Sequence, residues 1–170
     1  TAVWVGNSNT IFYNGNGATG GTAPDNGTQA TGAAYTVASN RSGNDALAKT
    51  GFTFAGWNTN ANGTGTDYAE GATGLATTSN VTLYAKWTGV SSAVTYVTGD
   101  GASTAPTQSN TMYGSIFALP SAPTRTGFNF IGWETGSDAN ATVYAPASNY
   151  TMGATAVTFT AKWSGLSYVV

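Results

Sequence analysis

The stretch NTNANGTGTDYAEG (residues 58–71) sets oxygen-bearing side chains at Asn58, Asn60 and Asn62, then Gly63, then Asp67 and Glu70. A calcium loop of the familiar twelve-residue type needs alternating oxygen ligands, a glycine at the sixth position and a bidentate glutamate at the twelfth. Counted from Asn58 the glycine falls correctly, but the twelfth residue is Ala69 and Glu70 comes one place late. Asn in place of Asp at the first ligand also lowers the charge offered to a divalent ion. The chain tests the idea itself, because ETGSDANATVYAPA (residues 134–147) repeats the region. There Asn58 becomes Glu134, Asn60 becomes Gly136, Asp67 becomes Val143 and Glu70 becomes Pro146, while Asn62 keeps an oxygen as Asp138. Loop length survives and ligands do not, so the stretch reads as a turn and no metal site is expected. Asp67 and Glu70 also form a close carboxyl pair, but glycosidic cleavage needs two carboxyls facing across a cleft. Two acids in one Gly-rich loop supply no cleft, and neither enzymatic activity nor a cofactor is expected.

The aromatic residues offer a second chemistry. Trp57 and Trp133, with Tyr68 and Tyr144 beyond the loops, are candidate ligand contacts, because flat apolar rings suit the faces of pyranose sugars. Core packing is the stronger reading, since aromatics near one turn of a small unit usually bury each other. Trp87 and Trp163 alternate with Val and Leu and are expected in the core more firmly still. Lys86 and Lys162 would suit an isopeptide crosslink if buried beside a carboxylic acid. The alternation instead puts both opposite the apolar face, where solvated ammonium groups are expected.

These residues sit in a repeated frame. KTGFTFAGW (residues 49–57) returns as RTGFNFIGW (125–133) and VTLYAKW (81–87) as VTFTAKW (157–163), each shifted by 76, and Tyr68 and Tyr144 keep that shift. Upstream, TAP at 22–24 matches 104–106 at a shift of 82, so the first copy carries about six extra residues around RSGNDALA. Tyr13 and Tyr96 differ by 83. AVWVG at the start resembles AKWTG and AKWSG, the closing segments of the two copies, and LSYVV at the end resembles an opening. The expected division is a closing strand of a preceding repeat (1–6), two repeats (7–89 and 90–165) and the start of a following one (166–170), a segment of a longer array.

Within each repeat the apolar period is two. Val81, Leu83, Ala85 and Trp87 share one face, as do Val157, Phe159, Ala161 and Trp163, and this is the pattern of a half-buried strand. TIFY and AVTYV open the repeats as strands, GFTFAGW and GFNFIGW alternate likewise, and AAYTV and SIFAL supply another strand each. Gly, Asn and Pro clusters separate these runs. One helical turn fits NDALAK, and no longer 3.6-residue pattern appears. The fold class expected is mostly β, with α+β as the alternative.

Composition narrows the function classes. Charged residues are 7% of 170, against roughly 25% in ordinary soluble proteins, and the net charge is −2. Nucleic acid would call for basic clusters, and the longest apolar runs fall far short of the ~20 residues of a spanning helix. Cysteine and histidine are both absent, which removes thiol, imidazole and Cys/His zinc chemistry. An uncharged surface of hydroxyls and amides allows side-by-side association of like copies.

The combination of K/R-T-G-F-x-F-x-G-W, a loop ending in Tyr and the closing V-T-x-x-A-K-W resembles the Listeria–Bacteroides repeat, the internalin B-repeat family, over nearly the whole chain. The resemblance implies small β-grasp-like modules strung in tandem in secreted or surface-attached bacterial proteins, without catalytic residues. It implies a stalk, spacer, fibre or adhesin segment whose partners are neighbouring repeats, with further copies or host and neighbour-cell ligands beyond them. The alternative function is a glycan- or protein-binding module acting through Trp57, Tyr68, Trp133 and Tyr144.

Overall fold

The computed structural model describes residues 6–136 and 141–167; residues 1–5 of the expected leading stub, Trp4 among them, and residues 168–170 of the expected trailing one lie outside them. The chain divides at Thr88/Gly89 into two compact units.

Unit 1 forms a single sheet from β1 (Ser8–Asn14), β2 (Gly27–Ala30), β3 (Phe52–Asn58), β4 (Asp67–Tyr68) and β5 (Val81–Gly89). Their order across the sheet is β2-β1-β5-β3-β4. β1 runs antiparallel to β2 and parallel to β5, with Ile11 opposite Val81 and Tyr13 opposite Leu83. Alternation sets the two faces of β1: Asn9, Ile11 and Tyr13 point inward, while Phe12 and Asn14 point out.

Unit 2 is built from β6 (Ser91–Ser92), β7 (Val94–Val97), β8 (Thr111–Met112), β9 (Ile116–Ala118), β10 (Phe128–Thr135), β11 (Thr142–Tyr144), β12 (Asn149–Thr151) and β13 (Val157–Gly165). Its main sheet has the order β11-β10-β13-β7, with β9/β12 and β6/β8 paired separately. The plan of unit 1 is recognisable. β7 runs parallel to β13 with Tyr96 opposite Phe159, and β6 pairs with β8 where the start of β1 pairs with the end of β2.

The two cores correspond position by position. Ile11, Tyr13, Val37, Trp57, Leu83 and Ala85 in unit 1 answer to Val94, Tyr96, Leu119, Trp133, Phe159 and Ala161 in unit 2. Burying one such large apolar side chain stabilises the fold by about 1.5–3 kcal/mol, so each core holds a small unit together without disulfides. The insertion in unit 1 adds a core residue of its own, Leu47. Asn40 clamps it: its Oδ1 accepts from the Leu47 N–H (2.8 Å) and its Nδ2 donates to the Leu47 carbonyl (3.1 Å).

The mostly-β class holds. Among the described residues helix is confined to one 3-10 turn, Gly43–Asp45, within the insertion, so the α+β alternative drops out. AAYTV does not become a strand; Tyr35 makes one isolated bridge to Leu75, whereas SIFAL gains a partner in β12 and forms β9.

Candidate functional site

The four aromatic residues singled out from the sequence are brought together in pairs. Trp57 lies opposite Tyr68 on β3/β4, and Trp133 lies opposite Tyr144 on β10/β11. The tryptophans are wholly buried, at 0% exposure each, and the tyrosines are half-buried. A ring with no exposed face has nothing to stack on a ligand, so these tryptophans serve the core. Tyr13 meets Trp57 edge-on with centroids 4.8 Å apart, and Tyr96 meets Trp133 likewise at 5.0 Å. Phe54 links Trp57 to Trp87 (5.1 and 5.7 Å), and Phe130 links Trp133 to Trp163 (5.2 and 5.4 Å). Depth runs opposite to the sequence expectation for the tryptophans. Trp87 and Trp163 are half-buried at the rim, because each stands near the end of its strand where the sheet runs out beneath it.

Each buried indole is pinned by one hydrogen bond. Trp57 Nε1–H donates to the Ala38 carbonyl (2.9 Å), and Trp133 Nε1–H donates to the Pro120 carbonyl (3.0 Å). The same backbone position treats the neighbouring tyrosine differently in the two units. In unit 1 the Ala38 N–H donates to Tyr13 Oη (2.7 Å). Proline has no N–H, so with Pro120 in that place the buried Tyr96 hydroxyl has no hydrogen-bond partner among the described residues. Burial disfavours the charged phenolate and pushes the pKa of both hydroxyls above the ordinary tyrosine value.

The Gly-Trp step and the tyrosine across the hairpin from it are one device. A Cβ on Gly56 would lie 2.6 Å from the Tyr68 carbonyl oxygen, and one on Gly132 would lie 2.6 Å from that of Tyr144. Only glycine lets the backbones close to this distance. Gly56 also has φ of 107°, which disfavours any side chain there.

The loop that imitates a calcium site is organised by Asn58, which is 1% exposed. Its Oδ1 accepts from the N–H groups of Asn60 (2.7 Å) and Gly65 (3.0 Å). Its Nδ2 donates to the carbonyls of Gly63 (3.3 Å) and Gly65 (3.2 Å) and to Asp67 Oδ1 (2.6 Å). Asn62 Oδ1 serves Thr64, and Glu70 Oε1 accepts from the Asn40 N–H (2.6 Å). Asn58 and Asn62 thus spend their side-chain oxygens on the loop's own backbone, while Asp67 and Glu70 accept from Asn58 Nδ2 and from the Asn40 N–H.

The strand lysines form ion pairs on the outer face. Lys86 pairs with Asp67 in unit 1, and Lys162 pairs with Glu134 in unit 2 (2.5 Å). The acids come from opposite sides of one cross-strand pair: Asp67 faces Asn58, whereas Glu134 faces Val143. Hydrogen bonds from Lys86 first and Asn58 second hold the Asp67 carboxyl below its usual range. An ionised carboxylate beside an ammonium lacks the proton an isopeptide-forming acid must carry, and the contact acts as a salt bridge.

A groove of about 390 Å³ opens beside this pair in unit 1. Its walls come from four separated segments: the turn after β1, the approach to β3, the Asn58 loop and the end of β5. Asn16, at φ of 47°, staples the walls by donating from Nδ2 to the carbonyls of Ala61 and Ala85 (2.9 Å each). Trp87 Nε1–H donates to the carbonyls of Gly15 (3.2 Å) and Asn16 (3.1 Å). Lys49 Nζ stands 4.8 Å from the Phe52 ring centre and 5.9 Å from that of Trp87. Sequence reasoning passed over Lys49, Phe52 and Asn16; the signal available was the cation kept as Lys or Arg ahead of T-G-F in both copies.

Comparison with known proteins places this architecture. The chain matches a protein named as a candidate Gly-rich membrane protein of Evansella cellulosilytica, at 32% identity over 132 residues, 78% of this chain and 15% of the relative. A second protein of that organism, named as a candidate membrane protein, is 36% identical over 86 residues, covering 51% of this chain and 12% of its own length. The chain thus spans a small part of the curated relatives it matches. No solved structure matches it significantly. The Listeria-Bacteroides repeat domain matches twice in tandem, over residues 10–86 and 93–162, and the chain belongs to this repeat family.

Proposed function

We propose that each unit is a small β-grasp-like bead in the extracellular part of a bacterial surface protein, serving as a load-bearing spacer or stalk and carrying out no chemical step. Relatives named as membrane proteins support a surface setting. The observation that carries the mechanical reading is the parallel pairing of β1 with β5 and of β7 with β13, strands near opposite ends of each unit. β1 lies parallel to β5 from Ile11/Val81 to Asn14/Tyr84, and β7 lies parallel to β13 from Val94/Val157 to Val97/Thr160. Tension applied through the two ends of such a unit pulls the paired strands in opposite directions along their length. Their hydrogen bonds are then loaded together in shear, instead of opening one at a time.

Force spectroscopy on the chain held between inert handles tests this. The expected trace has two discrete unfolding steps, each releasing roughly 25 nm at the ~3.5 Å per residue of extended chain. Val81→Pro and Val157→Pro, which each remove one backbone donor from the parallel ladder, are expected to lower the force of their own step. Unfolding without discrete steps, or steps indifferent to these substitutions, overturns the mechanical reading.

A further inference from the structure

Five basic residues occur in the chain, and the ion pairs divide them. Arg41, Lys86 and Lys162 each hold a carboxylate. Lys49 and Arg125, the two cations of the repeated K/R-T-G-F segment, have no carboxylate partner among the described residues. Both rest on the phenyl ring three positions later: Lys49 Nζ is 4.8 Å from the centre of Phe52, and the Arg125 guanidinium is 4.0 Å from the centre of Phe128. The repeat keeps a cation at this place, seated on a ring face and without a carboxylate among the described residues.

In unit 1 that cation faces the groove. The half-buried rings of Phe52 and Trp87 give the groove apolar flats, and Lys49 stands between them at one end. The Asn58 loop supplies amides at the other wall. Asn60 Nδ2 and Asn62 Oδ1 are spent on Thr64, which leaves Asn60 Oδ1 and Asn62 Nδ2 without partners among the described residues. A volume of about 390 Å³ is in the range of small-ligand sites, too small for a folded partner. Ring faces, a single unpaired ammonium and both amide donor and acceptor together describe a hydroxylated ring that bears one carboxylate. We propose that the unit-1 groove binds a carboxylate-bearing sugar residue, a uronic acid or similar, with Lys49 on the carboxylate, Phe52 and Trp87 against the ring and Asn60 and Asn62 on its hydroxyls. This site is separate from the spacer role, and neither depends on the other.

The test is a titration of the whole 170-residue chain, followed by amide and indole N–H resonances, with a short polyuronate, a neutral glucose oligomer of equal length and acetate. The expected result is saturable shifts at Asn60, Ala61, Asn62, Gly63 and the Trp87 indole with the uronate. Neutral sugar and acetate are expected to bind at least roughly tenfold more weakly, the effect of one charge-assisted contact. Lys49→Gln should lower uronate affinity about tenfold, and Lys49→Arg should keep it. Should Lys49→Gln disturb the fold, Asn62→Asp, at an exposed loop tip, asks the same question by setting a negative charge in the groove. No response at these residues overturns the proposal. So does an equal response to acetate, which would mean a plain anion site, or an equal response to neutral sugar, or indifference of uronate binding to these variants.

Discussion

Replacing Tyr13 and Tyr96 by Phe should move stability in opposite directions, although the two occupy the same place in the two units. Tyr13→Phe removes the acceptor 2.7 Å from the Ala38 N–H and leaves that donor stranded beside the core. A buried donor left unpaired costs about 1–3 kcal/mol. Tyr96 is 5% exposed and its hydroxyl has no partner among the described residues, because Pro120 offers no N–H. Removing a buried, unpaired hydroxyl should instead stabilise unit 2 by about 1 kcal/mol. The two substitutions are therefore expected to differ by roughly 2–4 kcal/mol. Urea titration read on the indole N–H signals of Trp57 and Trp133 follows each unit separately, since each indole is pinned within its own core. Pro120→Ala is then a restoring change: with an N–H supplied, Tyr96→Phe should become destabilising, a coupling visible in a double-mutant cycle. Equal losses for Tyr13→Phe and Tyr96→Phe, or no change in the effect of Tyr96→Phe when Pro120 is replaced, would refute the account.

Two further outcomes follow from the loops. Gly56→Ala and Gly132→Ala set a methyl 2.6 Å from the Tyr68 and Tyr144 carbonyl oxygens and should each cost about 2–4 kcal/mol by denaturant unfolding, whereas Gly153→Ala, with nothing within 4 Å, should stay within about 0.5 kcal/mol. Because the folded Asp67 carboxyl titrates below its ordinary 3.8, its contribution to stability is present above that pH and is lost as pH falls through the folded value. Carboxyl resonances should show Asp67 titrating below 3.8, and Lys86→Gln should move it back up.

What the sequence made legible was local. Strands with strict alternation, such as VTLYAKW and VTFTAKW, appear where expected as β5 and β13, since a period of two fixes which side chains share a face. The constancy of the loop between Trp57 and Tyr68 also had a physical cause, the contact of Gly56 with the Tyr68 backbone. Depth was not legible. Alternation says which face Trp87 occupies and nothing of how far the sheet extends beyond it, so it places Trp87 and Trp163 with the core without showing that they stay half-buried against it. Leu47 was missed as core because its burial depends on a clamp from Asn40 and on strands far away in the chain. The groove was missed for the same reason, since its four walls meet only after β1, β3 and β5 have paired.

A hairpin that can carry its lysine's counter-charge on either strand cannot be shuffled one strand at a time. Joining β3 of unit 1 to β11 of unit 2 would leave Asn58 opposite Val143 and strand Lys86 or Lys162 without an acid. The reciprocal joint would set Glu134 opposite Asp67, two like charges on facing positions, which is unfavourable. Recombination between such repeats therefore preserves the ion pair only when the crossover falls outside the hairpin, for instance at the T-G-F turn the copies share. Between the two copies the β3–β4 hairpin is therefore exchangeable only as a whole.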